Sequence, residues 1–177
     1  FQSMQIVACV YNCDPGRGSE SALGWNRVTA ISNQHDVWAF TVDEPQRRSR
    51  IDPILASGQF PRLRMVYVEA PARRQLRSVP RPLKMLASNW SALGVYRGWM
   101  ERCRIRLDEV LNGLHEPLLH HLSFASAYHG TFLDRVPGAP LLLGPVGSGI
   151  RTHPMFLSYF GESAMSERAR NTAVAAT

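Results

Sequence analysis

Two glycine-rich turns and a pair of adjacent histidines are the segments whose residue types and spacing could carry chemistry. The first turn, Asp14-Pro-Gly-Arg-Gly-Ser-Glu20, follows a short apolar run. Gly16 and Gly18 reach backbone conformations closed to other residues and let a ligand come close. The helix that follows offers unpaired N–H groups and a positive dipole end, which suit an anionic group. The same glycines would equally serve a tight turn with no ligand. His120-His121 closes a second apolar run, where an imidazole can orient a hydroxyl or pass a proton near neutral pH. Adjacent strand residues face opposite sides, so at most one of them lines a given cleft. The other reading is a satisfied structural histidine. Gly144-Pro-Val-Gly-Ser-Gly149 again places glycines directly after a buried run, as a loop against which a ligand can lie.

Several familiar chemistries are disfavoured by spacing. Gly16-x-Gly18 followed by Gly24 is not G-x-G-x-x-G, although Asp43 and Glu44 follow the second strand, and no G-x-x-x-x-G-K-[ST] loop occurs. There is no G-x-S-x-G elbow and no Asp-x-Asp pair for a metal–diphosphate site. Cys9, Cys13 and Cys103 are odd in number and form no zinc-type cluster, so they read as reduced thiols. No metal site is expected.

The elements that must position these segments alternate. The apolar runs Gln5–Tyr11, His35–Thr41, Leu63–Glu69, Pro117–Ser123 and Ala139–Gly144 read as strands. Helices are expected over Ser19–Ser32, with Ser19 as the cap, over Gln46–Ala56, interrupted at Pro53, and over Asn89–Leu114. Ala22, Leu23, Val28, Ala30 and Ile31 are expected on or near the buried side of the first helix. The proline- and arginine-rich segment 71–82 is expected to be a loop, and the tail from His153 to be helical in places. Alternating strands and helices predict an α/β fold, a Rossmann-like parallel sheet with helices on both faces. Ligands collect at the carboxyl ends of such strands, where all three segments fall.

Phe1-Gln2-Ser3 before Met4 reads as the remnant of an expression tag, leaving 4–177 as the domain. The last residues stop mid-pattern, as if the chain continued. No run of about 18 apolar residues marks a membrane span, and no signal-like segment follows Met4. Net charge is +6, carried almost wholly by arginine, with Lys84 the only lysine. From Arg62 to Arg106 only Glu69 and Glu101 oppose a run of basic residues, a field that attracts phosphates unless it is an ordinary solvated face.

The order and placement of Cys13-Asp-Pro-Gly-Arg-Gly-Ser-Glu-Ser-Ala-Leu-Gly-Trp25, His120-His121-Leu-Ser-Phe124 and Leu143-Gly-Pro-Val-Gly-Ser-Gly149 resemble the N-terminal domain of family 4 glycosyltransferases. These are retaining enzymes of the GT-B fold that use nucleotide-sugars. The resemblance runs from the first strand to the Gly144 loop. Asp14 stands where that family often has Glu, Ser21 where it often has Pro, and Ser148 where it often has Gly.

The resemblance implies a transferase acting on a glycan or lipid-linked acceptor in cell-surface polysaccharide assembly. It would be cytoplasmic, at the inner face of the plasma membrane. Gly16, Arg17, Gly18, Ser19, Glu20, Gly144, Pro145, Gly147, Ser148 and Gly149 would line the acceptor side. His120 or His121 would face the sugar. The nucleotide-sugar would bind a second domain absent from this chain, so the chain alone would be inactive. No cofactor and no nucleic acid are implied. Arg73, Arg74, Arg77, Arg81 and Lys84, beside Leu76, Val79, Leu83, Met85 and Leu86, would meet anionic lipid. The alternatives are a nicotinamide-dependent oxidoreductase and a non-catalytic basic binding module.

Overall fold

The structure is a computed structural model describing residues 2–16, 18–72, 81–123 and 130–144, with 155 and 165; side chains 19 and 81–92 are outside the description. Its elements run β1 (Gln5–Val10), α1 (Ser19–Ser32), β2 (Asp36–Val42), α2 (Pro45–Ala56), β3 (Leu63–Val68), α3 (Arg81–Leu111), β4 (Leu118–Ser123), a 3₁₀ turn (Phe132–Arg135) and β5 (Leu141–Leu143). The five strands form one sheet in the order β3-β2-β1-β4-β5. Every pairing is parallel, giving the expected Rossmann-like α/β architecture.

The period-2 alternation of side chains sends each central strand into two separate cores. Ile6, Ala8 and Val10 of β1 pack with Trp25 and Val28 of α1 and Ile51 of α2 on one face. Val7 and Cys9 pack with Tyr96, Trp99, Met100, Cys103 and Leu107 of α3, and with Phe132 and Leu133, on the other. Tyr96, Met100, Cys103 and Leu107 follow one another at steps of three and four residues along α3, and Trp99 joins the same face. Trp99 anchors it: its Nε1–H donates to the Val68 carbonyl at 3.0 Å, and its ring lies edge-on to Tyr11 and Phe132. All three cysteines are free and buried.

Four local expectations are corrected. Pro53 lies inside α2 without ending it. The helix persists because Arg47 and Ile51, one turn apart, are both buried on its inner side. α3 begins at Arg81, earlier than Asn89, because Pro82 falls in its first turn, where a missing N–H costs nothing. Gly18, not Ser19, is the N-cap of α1. Leu23 and Ala30 of α1 are exposed, while Trp25, Val28, Thr29 and Ser32 make its buried face. The tail from His153, apart from Met155 and Met165, lies outside the described residues.

Candidate functional site

In the order 3-2-1-4-5 the connections leave β1 and β4 in opposite directions, so a crevice opens beyond their carboxyl ends. A break in register between Cys9 and Val10 marks the same place, with Cys9 opposite His121 and Val10 opposite Ser123. The first glycine turn leaves β1 here, and the histidine pair sits at the end of β4.

The β1–α1 loop is held at each step. The Tyr11 carbonyl accepts from the Val42 N–H at 3.4 Å, the Thr41 hydroxyl at 3.2 Å and Arg47 Nη1 at 3.0 Å. The Asn12 N–H reaches the Ser123 hydroxyl at 3.4 Å, tying the loop to β4. The Asp14 N–H donates to the Ser21 carbonyl at 3.1 Å. The Asp14 side chain, 1% exposed, accepts from the Gly16 N–H at 2.9 Å and pairs with both Nε and Nη2 of Arg50. Arg50 is the main reason the Asp14 carboxyl titrates below the usual range, although burial opposes it. Helix α1 comes close enough that Gly24 faces the Asn12 carbonyl directly.

Gly16 and Gly18 are both exposed but unlike. The side chain of Arg50 covers Gly16. Gly18 has φ 50° and ψ 165°, a conformation close to glycine-only, and open space lies where a side chain would project. It gives α1 no side-chain cap, and the exposed Glu20 places a carboxylate in the first turn. Ser19 opens the helix. Arg17 lies outside the described residues.

The two histidines part as adjacent strand residues must. His121 is 0% exposed and sits in the α3-side core. Its Nε2 lies 2.9 Å from the Ser123 carbonyl and 3.2 Å from the Tyr96 hydroxyl. A carbonyl only accepts, so Nε2 carries the proton. Nδ1 is then a bare buried acceptor with no partner among the described residues. Burial pushes the His121 pKa down to about 4.

His120 is half-buried on the α1 face. Its Nε2–H donates to the Gly144 carbonyl at 3.3 Å, leaving Nδ1 as the ring acceptor. Burial lowers its pKa, the Gly144 bond opposes that shift, and Arg27 of α1 adds to it. The Gly144 N–H donates to the His121 carbonyl at 3.0 Å. Thus the start of the second glycine loop is pinned by both histidines, one through its side chain and one through its backbone. Gly144 itself has φ 143°. Pro145, Gly147, Ser148 and Gly149 lie outside the described residues.

Arg47 was not anticipated from sequence. It is 4% exposed, and its Nη1 also binds the Thr41 hydroxyl and the Val42 carbonyl, each at 3.0 Å. It therefore ties the carboxyl ends of β1 and β2 together. A charged residue in a helix rich in arginine reads as solvated; only the shared face with Ile51, four residues on, hinted otherwise. The acidic residue after β2, Asp43, is held by Arg48 at 2.6 and 2.7 Å. Arg48 also lies over the Tyr67 ring at 4.1 Å. Asp43 is thus already committed where a dinucleotide ribose would need it.

Much of the described basic region is internally neutralised. Arg102 pairs with Glu69 at 3.7 Å, Arg104 with Glu101, and Arg106 with Glu109 at 3.2 Å. Arg64 pairs with Asp36 at 3.4 Å and lies over Trp38. Arg73, Arg74, Leu76, Arg77 and Val79 lie outside the described residues, as do the side chains of Arg81, Leu83, Lys84, Met85 and Leu86. Among the described residues no helix is long and apolar enough to cross a membrane, and no three His, Cys, Asp or Glu side chains cluster to hold a metal. A groove of about 590 Å³ between Leu111, Pro117 and Val136–Pro140 lies at the amino ends of β4 and β5, away from the crevice. No protein-family model, curated protein or solved structure matches this chain.

Proposed function

We propose that this chain is the acceptor-side half of a retaining glycosyltransferase. It would take part in transferring sugar from a nucleotide-sugar to a glycan or lipid-linked acceptor in cell-surface polysaccharide assembly. The observation that carries the reading is the convergence of the Gly16–Gly18 turn, the histidine pair and Gly144 on the carboxyl edge of three neighbouring strands, β1, β4 and β5. Two strand spacings, about 10 Å, separate the two glycine turns. That gap suits a sugar lying across the end of β4.

The local chemistry supports a neutral, hydroxyl-rich ligand. Uncapped N–H groups at the start of α1 donate, while the Glu20 carboxylate accepts and opposes a phosphate in the same place. On β4, His120 is half-buried beside the Gly144 carbonyl, and in this reading its Nδ1 would accept from a sugar hydroxyl. His121 supports the strand end from below. Arg17, Ser19, Pro145, Gly147, Ser148 and Gly149 complete the proposed lining. The donor's nucleotide would be held by a second domain, in the cytoplasm at the inner membrane face, without metal or other cofactor. The arginines between 73 and 81, with Lys84, would contact anionic lipid.

The test is release of UDP or GDP from UDP-glucose, UDP-galactose and GDP-mannose by a chain extended beyond Thr177, with residues 4–177 as the comparison. Release by the extended chain alone, reduced at least tenfold by His120→Ala, is the expected result. Thermal stabilisation by NAD, with indifference to every nucleotide-sugar, would sink the proposal.

A further inference from the structure

Helix α2 reaches the first glycine turn twice. Arg47 takes the Tyr11 carbonyl at the start of the loop. Arg50, three residues on and hence on the same side of the helix, takes the Asp14 carboxylate in its middle. Asp14 in turn accepts the Gly16 N–H, so a chain of contacts runs from Arg50 through Asp14 to the turn. The guanidinium fork matches both carboxylate oxygens, a geometry that lysine cannot reproduce. The Asp14 carboxylate is almost completely buried, whereas the Arg50 side chain is 33% exposed, so the pair closes the loop from its outer edge. The same Arg50 side chain fills the space beside Gly16, while that beside Gly18 stays open.

We propose that Arg50 is a positioning residue of the ligand-facing loop: through Asp14 it fixes the Gly16 N–H and directs the approach of a ligand to Gly18. Its role toward an acceptor sugar rests on the transferase reading; the latch itself does not. The groups facing Asp14 are Arg50 and Arg47 from α2, with Cys13 beside it in the loop. Glu44 adds its charge to the field at Arg50.

The test uses the 177-residue chain, ¹⁵N-labelled, with Arg50→Gln, Arg50→Lys and Asp14→Asn compared with the parent. The Gly16 amide proton should shift downfield and follow the ionisation of Asp14, with a midpoint below the free-aspartate value of about 3.9. Arg50→Gln should move that midpoint upward and speed exchange of the Gly16 amide, which Asp14 holds, at least tenfold. Arg50→Lys should recover part of both effects. Asp14→Asn should abolish the titration.

Unchanged midpoint and exchange in a folded Arg50→Gln chain would overturn the proposal. Loss of fold in both Arg50 variants would overturn it too, since the residue would then be a pillar of the domain. Because the readouts are amide signals, an Arg50-dependent titration combined with no UDP or GDP release by the chain extended beyond Thr177 would remove the transferase reading and keep the latch.

Discussion

Replacing Gly24 by alanine tests whether α1 and the glycine turn are packed as tightly as the crevice requires. The added Cβ would stand 2.4 Å from the Asn12 carbonyl oxygen and 2.8 Å from Val10 Cγ1. Ordinary contact begins about 1 Å farther out. One obstacle is backbone, so no side-chain rotation relieves it; helix or loop must move. Overpacking of this kind costs about 1–3 kcal/mol. The exchange also gains about 1 kcal/mol in helix propensity. Movement of the loop would strain the Asn12–Ser123 and Asp14–Ser21 hydrogen bonds, which places the net cost at about 1–2 kcal/mol. With an m-value of about 2 kcal/mol per molar urea, the unfolding midpoint should fall by about 0.5–1 M. Gly94 of α3, with nothing within 4 Å of the added methyl, is the matched control. Gly94→Ala should be stabilising by up to about 1 kcal/mol. A Gly24→Ala chain as stable as the parent, or more so, would refute the close approach.

The buried His121 makes stability pH-dependent. Its folded pKa of about 4 lies below the unfolded value of about 6.5, so the unfolded chain binds the extra proton as pH falls through that window. Stability should fall by up to about 3 kcal/mol between pH 6.5 and 4, and urea titrations of His121→Asn should show most of that decline gone. Trp99→Ala should cost about 3–5 kcal/mol. Trp99→Phe removes one hydrogen bond to the Val68 carbonyl and leaves the one from the Asp43 N–H at 2.9 Å, so it should cost only about 0.5–1.5 kcal/mol, both read by urea unfolding with near-UV circular dichroism. Gly18→Ala should cost about 1–3 kcal/mol from its φ of 50° alone, with the far-UV spectrum unchanged.

The sheet was legible because its strands are short apolar runs, rich in β-branched residues in β1 to β3, separated by helical stretches. Tyr96, Met100, Cys103 and Leu107 recur at three- and four-residue steps, whereas the buried face of α1 was not the one its apolar residues suggest. What escaped was tertiary. Pro53 breaks a helix by local rules, yet neighbours on either side hold α2 in place. The link from Arg50 to Asp14 spans 36 residues and exists only once β1 and β2 lie side by side. The separate fates of His120 and His121 follow from which core each face of β4 meets. Strand alternation fixes that they differ, but the topology decides which one is buried.

The pairing of β1 with β4 has a consequence for how the chain folds. The Thr41 hydroxyl meets the Tyr11 carbonyl across 30 residues, whereas Asn12 meets Ser123 across 111. Loop-closure entropy therefore favours early assembly of β1, β2 and β3 as one βαβαβ unit, with β4 joining only after α3 has crossed the sheet. The crevice lies along that late-closing seam. A ligand spanning it would act as a staple between the first part of the domain to fold and the last, slowing unfolding through a contact that the earlier half-sheet cannot make.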